Sequence, residues 1–351
     1  MTAASFAQRP HPVRSRIPAR VAILVACATV LCALALASVA LGSSGMSLQR
    51  VLSAILGTGE RSDTIIIWSL RMPRLAMAGL GGLALALAGF ALQRATRNPL
   101  ASPSVLGIVD GAALGVVVFL FLFSNDANAL TVSIQWQPLA AVLGALGFAG
   151  LVILLAARTG APPLRVILYG VALGALAKAG VTLFIVDGPV HRASQAAMWL
   201  AGSVYQARWA DVQVLAIVLG VLVPLVFLLT RRMDQLQLDE LSAQATGLPV
   251  RATQLMLFAL AATLTATAVS FAGAIGFVGL VAPHAARLML GGRAGVQALG
   301  AALIGAAIVI AADLAVRVFF APLEVPAGAV TAVIGAPYFL FILIRAGRVH
   351  A

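Results

Sequence analysis

The chain has 351 residues, of which 62% are apolar and only 10% charged, with a mean hydropathy of +1.05 and a formal net charge of +12. A soluble domain carries about 25% charged residues, so this composition excludes a chain coated for water on every side. The positive charge does not signal nucleic-acid binding either: 22 of the 23 basic residues are arginines set between apolar runs, with no basic cluster interleaved with aromatics.

Spanning hydrocarbon takes about 20 apolar residues per helix, whereas outer-membrane barrels alternate over about 10. The apolar stretches here are continuous. The predicted fold class is therefore all-α, a polytopic membrane bundle of about ten transmembrane helices. Residues 1–19 are expected to form a cytoplasmic tail carrying Arg9, Arg14 and Arg16. The first span, 20–42, is longer than the roughly 7–15 residues of a signal-peptide core, so it reads as a retained helix. An Ala-Leu-Ala-Ser stretch at 35–38 is the feature that resembles a cleavage site. Cys27 and Cys32 lie in this span without metal-ligand spacing and read as small apolar side chains.

Further spans are predicted near 63–94, 104–123, 133–157, 163–186, 212–230, 253–272, 278–290, 296–318 and 328–345. They make residues 20–346 one membrane domain, with 347–351 a C-terminal tail. The third and eighth are short or broken by Gly and Pro. Gly107, Gly111 and Gly115, like Gly170 and Gly174, have the spacing that lets helix backbones approach in lipid. With the N-terminus in the cytoplasm, fifteen arginines fall on that side and seven outside, which favours both termini inside. The seven are Arg50, Arg61, Arg71, Arg74, Arg192, Arg208 and Arg317.

Two stretches echo each other. Ala88-Gly89-Phe90 leads into Asn98–Pro103, and Gly276-Phe277 leads into Val281-Ala282-Pro283-His284. They fit an inverted repeat of the kind transporters use and fit chance similarity among Gly/Ala-rich helices equally well. Asn98, Pro99, Pro103, Pro283 and His284 are expected to shape helix breaks lining a pathway, since proline removes a backbone donor.

Catalytic motifs are absent from the sequence. A P-loop needs Gly-Lys-Ser/Thr, but the only lysine is Lys178, and Ala179 follows it. His11, His191, His284 and His350 are scattered, and no metal site is expected. An ion-coupled carrier and a permease driven by a separate ATPase both remain open. Asp110, Lys178 and Asp313 are the charges clearly inside apolar runs. Asp110 and Lys178 either compensate each other or leave Lys178 facing a pathway. Their span positions put them roughly 10 Å apart in depth at 1.5 Å per residue, which argues against direct contact.

The most polar interior stretch is 231–252. Asp239 and Glu240 are placed to start a short helix, which Gly247 and Pro249 stop. By its physics alone it is equally a solvated loop or a docking helix.

Several stretches together resemble the FecCD-type permeases that import ferric siderophores, haem and cobalamin. Leu238, Glu240, Ala243 and Gly247 fall on the family's L-G-E-x-x-A-x-x-L-G coupling loop, with Asp239 at its first glycine and Thr246 at its leucine. Leu70–Arg74 is similar to L-R-L-P-R, and Gln93–Gly107 to Q-x-x-T-R-N-P-L-A-x-P-x-x-L-G. Trp199–Ser203, Gly276–Arg287, Ala312-Asp313 with Arg317, Glu324–Gly328 and Thr331–Phe339 extend the likeness from about residue 20 to the C-terminus. After Gly291 the family often has Asp-His-Arg. This chain has Gly292-Arg293-Ala294, so nothing is carried over there.

The resemblance implies a permease subunit in a bacterial inner membrane, closest in wording to those for ferric siderophores, with haem and cobalamin as alternatives. It implies that Arg71, Arg74 and Arg317 accept carboxylates of a periplasmic or extracellular substrate-binding protein. Snorkelling or helix capping is the alternative for these arginines. It implies that Leu238, Asp239, Glu240, Ala243 and Gly247 receive the stroke of two ATP-binding subunits. ATP and magnesium would reside in those subunits and no cofactor in this chain. A second permease subunit, identical or paralogous, and membrane lipid complete the implied partners.

Overall fold

The computed structural model describes residues 17–41, 46–125, 130–187, 190–321, 323 and 325–347. Arg9, Arg14, Arg16, His11, Glu324, Arg348 and His350 lie outside the described residues, as do the side chains of His191, Arg192 and Arg345. Among the described residues the structure is helical, apart from one isolated bridge between Ser124 and Leu130.

Helix α1 (Ile17–Ala40) leads to two short helices, α2 (Leu48–Ile55) and α3 (Arg61–Ile65). A π turn at Ile66–Arg71 carries α3 into α4 (Met72–Thr96). A 3-10 turn at Pro103–Leu106 precedes α5 (Ile108–Leu122), followed by α6 (Gln137–Thr159), α7 (Pro163–Asp187) and α8 (Val190–Ala201). Then come α9 (Trp209–Leu228), the short α10 (Thr230–Gln235) and α11 (Glu240–Ala245), and α12 (Val250–Ala272). The chain ends with α13 (Val278–Leu290), α14 (Ala294–Phe319) and α15 (Ala327–Gly347).

Seven helical stretches are long and apolar enough to cross a membrane: Ala19–Ala40, Arg61–Thr96, Ile134–Thr159, Pro163–Asp187, Trp209–Leu228, Val250–Ala272 and Ala294–Phe319. Three shorter apolar helices accompany them, at Ile108–Leu122, Val278–Leu290 and Ala327–Phe341. Helices α2 and α8 lie outside the predicted spans, because each is too short and too polar to stand out among apolar runs, while α3 extends the span predicted from residue 63 back to Arg61.

Helices α4 and α12 form the core: 72% of the most apolar stretch of each is buried, against 28% for α7. Small residues cause this burial. A Cβ at Gly82 would collide with the Gly305 carbonyl of α14, and one at Gly89 with the Gly279 carbonyl of α13. Backbones can approach that closely only without side chains, and lipid supplies no other drive for helices to associate. Gly107 abuts Gly170 and Gly174 of α7, while Gly111 and Gly115 abut Gly144 and Ala140 of α6. Both G-x-x-x-G patterns thus sit at helix contacts. Helices α6, α7 and α9 turn large aliphatic side chains outward, including Leu143, Leu168, Leu183, Ile217 and Val221.

Two segments dip into the bundle before their helices begin. Gly111 lies level with Gly144, so α5 starts roughly 18 Å short of the adjacent end of α6 at 1.5 Å per residue. Gly81 meets Ala272 and Gly89 meets Gly279, so α13 starts roughly 10 Å deeper than α12 stops. The dips touch: a Cβ on Gly279 would lie 2.9 Å from Cδ of Pro103. Among the described residues, only Arg97 (φ 52°) and Phe277 (φ 64°) are non-glycines in the left-handed region, one at each dip. Backbone held in such sparsely populated conformations needs the surrounding contacts to fix it.

Candidate functional site

Charged groups collect at both ends of the bundle. At the first end, Asp313 is buried between two arginines. Arg74 donates from Nε to Asp313 Oδ1 at 2.7 Å, and Arg317 from Nε to Oδ2 at 3.1 Å. The Asp313 side chain is 2% exposed, and those of Arg74 and Arg317 are 13% and 12% exposed. Arg317 also donates to the Ser38 and Leu41 carbonyls and to the Ser38 hydroxyl. Arg71, aimed inward by the π turn, donates to the Val39 and Ala40 carbonyls. Guanidinium groups thus satisfy the orphan carbonyls at the end of α1 and complement its dipole. The Arg74 guanidinium lies 5.2 Å from the ring centroid of Tyr205.

Two further arginines foreseen at this end, Arg50 and Arg208, pair locally. Arg50 is held by Asp63 at 2.6–2.8 Å, and Arg208 by Asp211 at 3.0 Å. Arg74, Arg317, Gln195, Tyr205, Arg208 and Ser270 border a cavity of about 550 Å³ that opens here. Trp199 and Ser203 line it together with Gly273 of the dip after α12. Gly202 and Ala274 both donate to the Trp199 carbonyl, and Gly328 donates to the Gly202 carbonyl at 3.0 Å. Three stretches far apart in sequence therefore share one turn of structure.

At the opposite end, α10 and α11 form a knob. Asp239 is the N-cap of α11, its Oδ1 accepting from Ser242 N at 2.9 Å. Bonding from the Ser242 hydroxyl and amide holds the Asp239 carboxyl below its ordinary range. The glycine expected at this position is thus replaced by a residue that does the capping itself. The helix ends in a Schellman motif: Leu248 N donates to Ala243 O, Gly247 N donates to Gln244 O, and Gly247 has φ 79°. Ala243 and Leu248 are buried beneath the motif, while Leu238, Glu240 and Leu241 project outward, Leu241 being 78% exposed.

A polar weld ties this knob to the core, and reading arginines only as topology markers missed it. Arg94 is 8% exposed, donating to Gln297 Oε1 at 2.6 Å and to Asp234 Oδ1 at 3.4 Å. Asp234 also accepts from Ala294 N, and Arg97 donates to the Leu236 carbonyl. Gln237 and Gln254 reach the Arg94 and Ala95 carbonyls. The available signal was three polar residues, Gln93, Arg94 and Arg97, at the end of an otherwise apolar helix.

Asn98, Pro99 and Pro103 lie where the two dips meet, whereas Pro283 and His284, expected at a break, lie within continuous α13. Asn98 Oδ1 accepts from Leu100 N at 2.9 Å, making the turn after α4. Pro99 follows in that turn, and Pro103 opens the 3-10 turn against Gly279. Gln93 donates to the Leu280 carbonyl at 3.2 Å. Pro283 is inside α13, and His284 is buried, its ring edge-on to Tyr338 at 6.3 Å. Among the described residues, His284 Nδ1 lacks a partner, and no group of His, Cys, Asp and Glu is arranged to hold a metal.

Asp110 and Lys178 meet, contrary to the depth argument. Lys178 Nζ lies 3.7 Å from Asp110 Oδ1, and Asp110 Oδ2 rests against Gly174. The dip before α5 is the reason: that helix starts so deep that its first turn is level with the second half of α7.

A helical membrane bundle with a capped knob at one end, a charge-lined cavity at the other and no nucleotide-binding motif defines the membrane-spanning component of a transporter. The chain belongs to the FecCD transport family, which it matches over residues 29–345. It is 43% identical over 295 residues to the "Probable siderophore transport system permease protein YfhA" of Bacillus subtilis (strain 168), covering 84% of this chain and 86% of that one. It is 40% identical over 310 residues to the achromobactin transport system permease protein CbrC of Dickeya dadantii (strain 3937), covering 88% and 87%. In fold it is similar to a solved structure, "An inward-facing conformation of a putative metal-chelate type ABC transporter", with a TM-score of 0.82 and 26% identity over 92% of this chain and 99% of that one. Members of this family work in ABC importers with ATPase and substrate-binding partners, as multi-pass proteins of the inner membrane.

Proposed function

We propose that this chain is the permease subunit of an ABC importer that moves an iron-siderophore chelate into the cytoplasm. The observation that carries this reading is family membership across nearly the whole membrane domain. In this reading the seven long and three shorter apolar helices make ten crossings, with both termini and the α11 knob in the cytoplasm. The arginine excess on that side supports the orientation.

The mechanism follows from the two ends. A substrate-binding protein docks over the cavity beside Arg74 and Arg317, and the chelate passes between this subunit and a second permease subunit. ATP and magnesium act in two partner ATPases, whose stroke is received by Leu238, Asp239, Glu240, Ala243 and Gly247. The exposed Leu241 and Leu238 fit an apolar groove on such a partner, and Glu240 sets register. Arg71, Arg74 and Arg317 already hold internal acceptors, so docking must share their forks rather than claim free cations. Arginine carries five donors in a fixed fork, which permits such sharing.

Reconstitution of the permease with its ATPases and binding protein in vesicles tests the reading. Uptake of radiolabelled ferric siderophore should require ATP, and uptake without it would overturn the proposal. Arg74→Lys and Arg317→Lys, which keep charge but lose the fork, should weaken salt-sensitive capture of the binding protein. Unchanged, salt-insensitive capture in both would remove these arginines from the docking surface.

A further inference from the structure

Lys178 is the chain's only lysine, and its side chain is 71% exposed. It sits fifteen residues after the start of α7 and nine before its end. A helix of this length is about 37 Å long, against a hydrocarbon core of about 30 Å. The Cα is therefore buried roughly 10 Å below the outer edge of that core. Side chains on a helix lean toward its N-terminus. For α7 that is the inner end, so Lys178 leans away from the nearer water surface. Snorkelling to the outer headgroups is thus disfavoured.

The face around Lys178 carries Val171, Ala175 and Thr182, all exposed. Helices α5 and α6 pack on α7 over its buried Gly170, Gly174, Ala177 and Val181, and α5 brings Asp110 to the edge of the open face. The Thr182 hydroxyl is already donated to the Lys178 carbonyl. Among the described residues, Asp110, recessed at 19% exposure, is the one acidic group beside the ammonium, at 3.7 Å and beyond hydrogen-bond reach. An ammonium has three donors, and a lipid-facing cation at this depth is strongly disfavoured. The donors need water or oxygen ligands from the open side.

We propose that Lys178 is a fixed cation on the wall of the chelate pathway, where it contacts oxygen-rich anionic iron chelates, with Asp110 as its tether. The inference rests on the permease reading and deepens it by assigning a residue that meets the cargo. Seen from the pathway, the pair presents its positive end, because Asp110 lies beneath. A passing carboxylate, catecholate or hydroxamate oxygen draws the ammonium off Asp110, and Asp110 recaptures it afterwards. Cargo must bind well enough to enter and weakly enough to leave, and a built-in competing carboxylate serves the second need.

The test reads local potential independently of cargo. In a Cys27→Ser, Cys32→Ser background, Ala175→Cys is placed one turn from Lys178 in the full complex in vesicles. Modification rates are compared for an anionic and a cationic methanethiosulfonate, each relative to a free thiol. The anionic reagent should be favoured by roughly tenfold or more, and adding Lys178→Gln should abolish the preference while Lys178→Arg keeps it. An unreactive thiol in the Ala175→Cys variant would show that the face is covered by lipid or protein. A preference untouched by Lys178→Gln would show that the cation lies elsewhere. Either result overturns the proposal. Loss of ATP-driven uptake in the unmodified complex would instead overturn the permease reading, so the two failures are distinguishable.

Discussion

Replacing Asp313 by Asn removes one charge while keeping the side chain's shape. Two guanidinium groups share that carboxylate at 2.7 and 3.1 Å, and all three side chains are at most 13% exposed. An ion pair with charge centres about 4 Å apart is worth about 4 kcal/mol at an effective dielectric of 20. Removing the shared partner forfeits two such attractions and leaves like charges side by side. The loss is offset because Arg317 keeps the Ser38 and Leu41 carbonyls and Arg74 keeps the face of Tyr205. Water in the adjacent cavity screens the remainder. Breaking a buried pair costs about 3–5 kcal/mol, and these offsets place Asp313→Asn near 3 kcal/mol. Reversible unfolding of the purified protein in mixed micelles under a denaturing detergent measures this. Adding Arg74→Met should recover part of the loss, with a coupling of about 1–3 kcal/mol. A loss below about 1 kcal/mol, or strict additivity of the two substitutions, would show that the triad is solvated and does not hold α1, α4 and α14 together.

Gly89→Ala should cost about 1–3 kcal/mol by overpacking against Gly279, whereas Gly147→Ala, with nothing within 4 Å, should be neutral or gain up to about 1 kcal/mol of helix propensity; the same unfolding assay separates them. Asp239 has a depressed folded pKa, so its cap is fully present above the ordinary carboxylate range and is lost as pH falls through the depressed value. Protection factors at residues 240–246, with exchange normalised to the intrinsic amide rate at each pH, should therefore fall below pH about 4, and Asp239→Asn, a comparable cap, should remove that fall. Arg94→Met should leave ATP hydrolysis running while lowering chelate uptake per ATP, because the weld between α10 and α4 is broken; an unchanged ratio would refute this.

Much of the fold was legible because lipid leaves few options. Continuous apolar runs must be helices, and paired small residues must be contacts, as at Gly82 and Gly111. Helices α2 and α8 escaped because short amphipathic segments have neither length nor uniform apolarity. The depths of α5 and α13 escaped for another reason. Sequence marks where a helix is interrupted, at Asn98-Pro99 and at Gly276, but the distance the chain travels before restarting depends on contacts such as Pro103 with Gly279. The meeting of Asp110 and Lys178 depends on that distance. The arginines show a similar limit: residue type predicted a carboxylate partner, but burial decides whether the partner is Asp313 or another protein.

The two ends of the bundle are joined by one element. Helix α4 holds Arg74 at one end and Arg94 at the other. Between them its backbone lies directly on Gly305 and Gly279, with no side chains to cushion relative motion. A contact of that kind cannot deform gradually, because interiors are close-packed, so displacement at one end is transmitted or the contact breaks. In the proposed importer, a push on α11 would reach α10 through the Thr246–Gln235 bond, then Asp234, and through Arg94 and Gln297 the adjacent ends of α4 and α14. At the far end the same two helices grip Asp313 between Arg74 and Arg317. The dips at Arg97–Gly107 and Gly273–Phe277 are the places where this rigid pair is flanked by non-helical backbone. Relative movement of α5 and α13 against the α4–α14 pair is therefore where the fold can change at least cost in broken helical hydrogen bonds.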